Sequence, residues 1–264
     1  MQYFWNPYSI PSPEAYKAPA KLPYMQGDEE NVFANLFLAC PKVTAPKGSP
    51  LIVYFHGGGL TGGDRNCLPF LYNGKNAVAE VRYPLAPSLM PPGQIDYAAS
   101  AIGFLVKNAE KFNIDKRKIF IEGHSAGAYL AAIAVMNPAF SRKYGFHYKD
   151  IAGLILLSGQ MTTHFFVKEV LGDKRGNYYP KIDEYAPLAH LAEDLPPILL
   201  ITGESGRDIP GRPEENLFTA ASLRAIGHPF VRYFALAGHD HCSIMTGAVC
   251  LVSQFTEDVL KGIK

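Results

Sequence analysis

The sequence predicts an α/β fold with a mostly parallel central sheet and helices on both faces. Short apolar runs of the kind found in buried strands alternate with longer helical segments along 264 residues. Two glycine-rich turns follow two of these runs, at the strand ends where parallel sheets gather their ligand-binding loops. Because the length suits one domain and no linker divides the chain, residues 1–264 are predicted to form a single domain.

The predicted strands follow one another as short apolar runs. Residues 32–38 alternate loosely between apolar and polar side chains, which indicates an early antiparallel strand. Residues 51–55, Leu-Ile-Val-Tyr-Phe, form the continuous apolar run that is expected of a strand buried on both faces. Further strands are predicted at residues 77–81, 119–121, 154–157, 198–201 and 230–234.

Helical segments separate these strands, and two stretches are expected to be less regular. Residues 1–30 are rich in proline and tyrosine without periodicity, which predicts an irregular N-terminal arm. Residues 160–192 carry several aromatic side chains and are predicted to form a small cap or pocket wall. Helices are predicted at residues 94–112, 125–136, 213–226 and 243–261.

Composition narrows the classes of function. Hydrophobic residues make up 48% of the chain and charged residues 19%, which allows a large core, and the formal net charge is +1. Because no cluster of lysine and arginine stands out, the sequence argues against nucleic acid or an anionic membrane surface as a partner. No apolar run approaches the ~20 residues that a membrane span requires. The sequence does not decide whether the chain forms a homodimer.

The N-terminus and the cysteines bear on the compartment. The first residues lack a basic region followed by a long apolar segment, so a cytoplasmic location is expected; a signal peptide removed before residue 1 is left open. The cysteines show neither CxxC nor metal-ligand spacing, so reduced and mostly buried thiols are expected. They are Cys40, Cys67, Cys242 and Cys250.

The pentapeptide Gly123-His124-Ser125-Ala126-Gly127 stands between a predicted strand and a predicted helix. Glycines on both sides of a serine allow the sharp turn of a nucleophile elbow, which lifts the serine oxygen above the sheet edge. The alternative is a turn without chemistry. The pattern makes Ser125 the candidate nucleophile, and His124 is expected to be an ordinary surface or core residue.

A second glycine-rich turn, His56-Gly57-Gly58-Gly59, follows the predicted strand at 51–55. Backbone N–H groups of consecutive glycines can approach an oxyanion, and His56 is expected to organise this loop through hydrogen bonds. A flexible loop is the alternative, and a phosphate site fits poorly because there is no Gly-Lys-Ser/Thr. Since acyl transfer needs both a nucleophile and oxyanion donors, the two turns together predict that chemistry.

An activated serine also needs a base and an orienting carboxylate, in the chain order Ser, Asp/Glu, His. Asp208 is the preferred carboxylate because it stands where the chain turns toward the next helix, and Glu204 is the reserve. His241, directly before the C-terminal helix, is preferred as the base; His239 is expected to hydrogen-bond within its loop. A His-Asp-His metal site is the alternative, but its spacing lacks the helical i, i+4 pattern.

These motifs, in this order, resemble the esterase/lipase group of α/β-hydrolases. Within that group they are similar to the hormone-sensitive-lipase-like carboxylesterases and their small relatives of the BD-FAE type. The resemblance covers the chain from about residue 45 to its C-terminus and implies the α/β-hydrolase fold. It is carried by residues 56–59 with 63–64, 81–87, 96 with 104–105, 123–127, 195–200 and 238–241.

The resemblance implies a role for each candidate residue. Ser125 is the nucleophile, His241 the general base and acid, and Asp208 the orienting carboxylate. The implied oxyanion donors are the backbone N–H groups of Gly58, Gly59 and Ala126. The implied activity is hydrolysis of a small carboxylic ester through an acyl-enzyme, without metal or cofactor.

Several activities stay open within this resemblance. They are an exo-peptidase, an arylformamidase-like amidase, a carbohydrate esterase acting on acetyl or feruloyl groups and, outside enzymes, a non-catalytic binding module.

Two features depart from the family pattern. The loop before Asp208 is longer than the usual Gly-x-x-Asp, and the segment between Asp64 and Ala77 is short, so a different pocket rim is expected.

Overall fold

An eight-stranded sheet lies at the centre of the protein in a computed structural model that describes residues 13–65 and 69–262. All seven predicted strands are present in it, most with shifted ends, and one further strand precedes them. The strands are β1 (Ala20–Pro23), β2 (Asn35–Ala39), β3 (Ser49–Phe55), β4 (Ala77–Val81), β5 (Ile114–His124), β6 (Gly153–Leu157), β7 (Ile198–Gly203) and β8 (Val231–Leu236).

The strand order is β1-β2-β4-β3-β5-β6-β7-β8. Strands β1 and β2 are antiparallel to their neighbours, and the six strands from β4 to β8 in this order pair in parallel. The mostly parallel sheet predicted from the alternating pattern is confirmed, and its order is that of an α/β-hydrolase. The parallel strands therefore end together at one edge of the sheet, where the two glycine-rich turns lie.

Helices cover both faces of the sheet. Alternate residues of β3 point to opposite sides, so Leu51, Val53 and Phe55 join one core layer while Ile52 and Tyr54 join the other. The helices are α1 (Gly93–Asn108), α2 (Ala126–Met136), α3 (Pro138–Lys143), α4 (Phe165–Val170), α5 (Arg212–Ala225), α6 (Ile244–Gly247) and α7 (Val249–Lys261). Residues of α1, α2 and α5 pack in the first layer, and residues of α6 and α7 pack in the second.

Two expectations need correction. The segment expected to be an irregular arm contains β1, and its residues 1–12 lie outside the described part of the chain. Strand β1 is an edge strand with mostly exposed side chains, so it pairs through its backbone and shows no apolar periodicity. Strand β5 begins at Ile114 rather than 119, because its charged residues 115–118 interrupt the apolar pattern.

The cysteines and the helices complete the description. Cys40 and Cys250 are half-buried and Cys242 is exposed, so the expectation of mostly buried thiols is wrong for these three. Cys67 lies outside the described residues. Among the residues described, no helix combines the length and apolar character that crossing a bilayer demands.

Candidate active site

Ser125 lies at the turn between β5 and α2 in a backbone conformation that non-glycine residues seldom adopt. Its φ is 56° and its ψ is −121°. Its N–H donates to the Leu157 carbonyl at 2.8 Å, which ties the turn to β6. A Cβ at Gly127 would lie 2.1 Å from the Phe55 carbonyl oxygen, so only glycine fits there. The strained turn holds the serine at the carboxyl end of β5, beside the neighbouring loops.

A chain of hydrogen bonds connects Ser125, His241 and Asp208, which come from three different loops. Ser125 Oγ lies 2.8 Å from His241 Nε2, and His241 Nδ1 lies 2.8 Å from Asp208 Oδ1. Both separations are those of well-formed hydrogen bonds. Asp208 follows β7 and His241 precedes α6, so the parallel topology brings both loops to the edge that carries Ser125.

Asp208 is buried, and its carboxylate is held by four donors. They are the imidazole of His241, the hydroxyl of Ser158, and the backbone N–H groups of Gly203 and Ile209. Burial alone raises the pKa of this carboxyl, but the hydrogen bonds, that from His241 foremost, outweigh it and lower the pKa to about 2. The carboxylate therefore stays ionised and can hold the imidazole in one orientation.

The reserve candidates have other contacts. The Glu204 carboxylate accepts from the Gly238 N–H at 2.9 Å and pairs with Arg207 at 3.2 Å, at the surface. His239 is half-buried, with Nδ1 3.1 Å from the Ala237 carbonyl oxygen, in line with the expected bond inside its loop. Asp240 accepts hydrogen bonds from the two residues that start the next turn. In the described part of the chain, no cluster of three or more metal-binding side chains occurs.

The glycine loop after β3 is fixed by contacts of the buried His56 side chain. Gly58 and Gly59 have φ values of 115° and 64°, which favour glycine. The His56 ring stacks on Tyr83 with centroids 4.3 Å apart, and its Nδ1 lies 2.7 Å from the Gly57 carbonyl oxygen. The prediction that His56 organises this loop is confirmed. A Cβ at Gly57 would lie 3.1 Å from the Ser125 Cβ, so the loop lies directly against the serine.

His124 has a more specific environment than the sequence analysis expected. It is a buried residue, and its Nε2 lies 2.8 Å from the backbone carbonyl oxygen of His241. Burial lowers the pKa of His124 to about 4, so the ring is neutral near pH 7 and Nε2–H donates to that carbonyl. The elbow and the loop that carries His241 are thereby connected beside the Ser125 hydroxyl.

Ser158, at the end of β6, is the contacting residue that the sequence analysis missed. It is fully buried, and its Oγ lies 2.9 Å from Asp208 Oδ1 and 2.8 Å from Oδ2. Serine is common in turns, and nothing in the local pattern marks this one. The available signal was its place directly after the predicted strand at 154–157, at the edge where loops of parallel strands meet.

A pocket of about 440 Å³ lies between the start of α4, the segment 177–180 that follows this helix, and the start of α5 with the residues before it. Phe165 lines it and also lies 3.8 Å from the position of a Cβ on Gly59, so the pocket adjoins the glycine loop. Tyr178 and Tyr179 on its rim are 69% and 53% exposed. The remaining lining is largely polar: Gln160, Thr162, Asn177, Arg212, Glu214 and Glu215, with Pro180 and residues 209–211.

Comparison with known proteins gives two family matches. The family model described as BD-FAE matches residues 36–151. The model of the prolyl oligopeptidase family matches residues 101–254, more than half of the chain.

Individual curated relatives match half of the chain or less. The chain is 30% identical over 140 residues to an α/β-hydrolase-like protein of Acanthamoeba polyphaga mimivirus, covering 50% of this chain and 38% of that relative. It is 31% identical over 90 residues to esterase LipI of Mycobacterium tuberculosis, covering 32% and 28% respectively. The chain thus spans well under half the length of these relatives.

The butyrate-bound structure of an esterase from Thermogutta terrifontis superposes with a TM-score of 0.74 at 18% identity, covering 95% of both chains. This likeness shows the fold.

Proposed function

Because the chain belongs to the prolyl oligopeptidase family and is an esterase/lipase-like α/β-hydrolase, we propose that it hydrolyses small carboxylic esters through a serine acyl-enzyme. The observation that carries the proposal is the hydrogen-bonded chain Ser125–His241–Asp208, with 2.8 Å at each contact. Nucleophile, base and orienting acid are the three groups that acyl transfer by a serine requires.

The first half of the reaction forms the acyl-enzyme. Ser125 Oγ attacks the ester carbonyl carbon while its proton passes to His241 Nε2, and the ionised Asp208 stabilises the imidazolium. The carbonyl oxygen becomes an oxyanion. As the tetrahedral intermediate collapses, the bond to the alcohol oxygen breaks, and the imidazolium returns its proton to that leaving alcohol.

The oxyanion is assigned to three backbone donors, the N–H groups of Gly58, Gly59 and Ala126. Ala126 begins α2, where the first N–H groups have no partner within the helix, and the helix dipole favours negative charge. Removing one such donor typically costs about 10²–10³ in rate, so these groups supply a large share of the catalysis. A water molecule then repeats the attack on the acyl carbon, with His241 as base, and releases the acid.

The pocket beside Phe165 supports a second candidate, a carbohydrate ester as substrate. Its rim carries the exposed rings of Tyr178 and Tyr179, and its lining offers amide, hydroxyl and carboxylate groups that suit a polyhydroxylated alcohol. In this proposal residues 160–192 form the pocket wall. Acetylated xylose or glucose hydrolysed with a higher kcat/KM than p-nitrophenyl acetate would favour the carbohydrate esterase over a general esterase.

The test uses hydrolysis of p-nitrophenyl acetate and butyrate together with a fluorophosphonate probe. We expect Ser125→Ala to abolish both turnover and labelling while the circular dichroism spectrum is unchanged. Ser253→Ala, which changes an exposed serine on α7, is the matched control and should retain both. Activity that survives Ser125→Ala would contradict the proposal. A wild-type chain that neither turns over nor reacts would favour the non-catalytic binding module.

A further inference from the structure

Ser158 is held in an unusual backbone conformation directly behind the hydrogen-bonded chain. Its φ is 48°, in the left-handed region that non-glycine residues rarely adopt. Its N–H donates to the Ile201 carbonyl at 2.7 Å, so the residue is fixed between β6 and β7. Strain of this kind persists only where surrounding contacts determine it, and it often accompanies functional sites.

Two buried side chains from α5 hold the carbonyl side of this segment. The Arg212 guanidinium donates to the Ser158 carbonyl at 2.5 Å, and the Asn216 amide donates to the Gly159 carbonyl at 2.8 Å. The charge of Arg212 is balanced by Glu215, whose carboxylate lies 3.1 Å from the guanidinium and also accepts from Thr162. We call Arg212 and Asn216 the clamp. Through Glu215, it connects the pocket wall to the backbone of Ser158.

The Ser158 hydroxyl contacts two of the three residues assigned to the reaction. Its Oγ lies within 2.9 Å of both Asp208 oxygens and 2.9 Å from His241 Nδ1. A hydroxyl has one proton to donate and two lone pairs to accept with. The Ser158 hydroxyl donates its hydrogen bond to the Asp208 carboxylate, and its oxygen accepts from His241 Nδ1–H. This N–H is therefore shared between Ser158 Oγ and Asp208 Oδ1. The hydroxyl thus bridges acid and base.

We propose that Ser158 is a positioning residue that fixes the Asp208 carboxylate and the His241 imidazole relative to each other. The proposal rests on the hydrolase function proposed above. The hydroxyl closes a triangle with the two groups, so rotation of the carboxylate or tilt of the ring breaks a hydrogen bond. The clamp by Arg212 and Asn216 keeps the strained backbone in the conformation that aims the hydroxyl there.

The test compares Ser158→Ala with Ser158→Gly. Alanine removes the hydroxyl and keeps the strained backbone, whereas glycine removes the hydroxyl and relieves the strain. We expect both variants to lower kcat for p-nitrophenyl acetate about tenfold, with KM changed by less than about twofold. The rate constant for reaction of Ser125 with a fluorophosphonate should fall by a similar factor. The proton NMR resonance of His241 Nδ1–H should shift, because one of its two acceptors is lost.

Ser141→Ala is the matched control. Ser141 is also a fully buried serine, and no described residue hydrogen-bonds its hydroxyl. This variant should leave kcat, the labelling rate and the His241 resonance unchanged. The comparison separates the loss of a buried hydroxyl in general from the loss of this contact.

Three outcomes overturn the inference: wild-type kcat in Ser158→Ala, restoration of the wild-type rate by Ser158→Gly, or an unshifted Nδ1–H resonance. The second would assign the effect to backbone strain. A wild-type chain that reacts with the fluorophosphonate but leaves the ester intact shows that the substrate class is wrong, and a slower labelling rate in both variants then supports positioning. A wild-type Ser125 that does not react at all overturns both proposals.

Discussion

Two buried carboxyl groups near Ser125 differ in almost everything except their burial. Asp208 receives four hydrogen bonds, and its pKa is lowered to about 2. Glu122, on β5, has no hydrogen-bond partner for either oxygen among the described residues, and burial raises its pKa to about 8. Partners, rather than depth, decide whether a carboxylate keeps its charge inside this protein.

The two groups also affect stability in opposite pH ranges. The folded-state pKa of Asp208 is below its ordinary value of 3.8, so its contribution is present above that pH and is lost as the pH falls through about 2. The folded-state pKa of Glu122 is above its ordinary value of 4.5, so stability declines as the pH rises from there to about 8. Asp208 is an anion in the hydrogen-bonded chain with His241 and Ser125. Glu122 is buried as a neutral acid.

The largest expected effect comes from removing the charge of the partnered carboxyl. Asp208→Asn should lower kcat for p-nitrophenyl acetate by about 10³–10⁴, because an amide cannot hold His241 in the required tautomer or stabilise its imidazolium. Glu204→Gln, at the exposed reserve position, should retain activity within about twofold. Loss of activity in Glu204→Gln with retention in Asp208→Asn would reverse the assignment of the acid.

A second change removes the cation that pairs with a largely buried carboxylate, which keeps its hydrogen bonds from Thr162. Arg212→Met leaves Glu215 buried without its 3.1 Å ion pair, and should lower the free energy of unfolding by about 3–5 kcal/mol. Urea denaturation measures this loss, and Arg212→Met combined with Glu215→Leu should recover part of it. Arg207→Met, which breaks an exposed ion pair with Glu204, should cost less than about 1 kcal/mol. Equal losses in both single variants would contradict the argument from burial.

The smallest of the three effects concerns the unpartnered carboxyl itself. In the wild type, Glu122 ionises in the unfolded chain but stays largely neutral in the folded one, so the free energy of unfolding should fall by about 3–4 kcal/mol between pH 5 and pH 8. Glu122→Gln cannot ionise there and should flatten this dependence, as measured by urea unfolding at both pH values. Glu257→Gln, at an exposed position paired with Lys261, should keep the wild-type slope. An unchanged slope in Glu122→Gln would mean that the carboxyl has a partner.

The core of the fold follows from local sequence, and its edges do not. Strand β4 begins and ends at the predicted residues. Its short, nearly continuous apolar run is the sequence pattern of a strand that is buried on both faces. Strand β1 was not predicted, since an edge strand with exposed side chains is defined by backbone pairing to partners 12 to 18 residues away in sequence. Helix α4 is short and lies in a segment whose aromatic residues predict packing but no periodicity.

The candidate site shows the same division. Motif order predicts Ser125, Asp208 and His241, and the structure brings these three together because parallel strands end at one edge. Ser158 escaped prediction because its place after a predicted strand is a weak signal, and the left-handed backbone conformation that aims its hydroxyl is imposed by tertiary contacts. The contrast between the hydrogen-bond partners of Asp208 and Glu122 is likewise invisible in sequence, because those partners come from distant parts of the chain or are absent among the described residues.

The close approach at Gly127 has a consequence for how this protein can change. Because the α2 backbone there lies against the carbonyl groups of Phe55 and His56, the separation between the serine turn and the glycine loop is set by main-chain atoms in contact. The three atoms nearest to the position of a Cβ on Gly127 all belong to the main chain. A side chain added at position 127 would therefore push the serine turn and the glycine loop apart directly, whatever the packing of the hydrophobic interior.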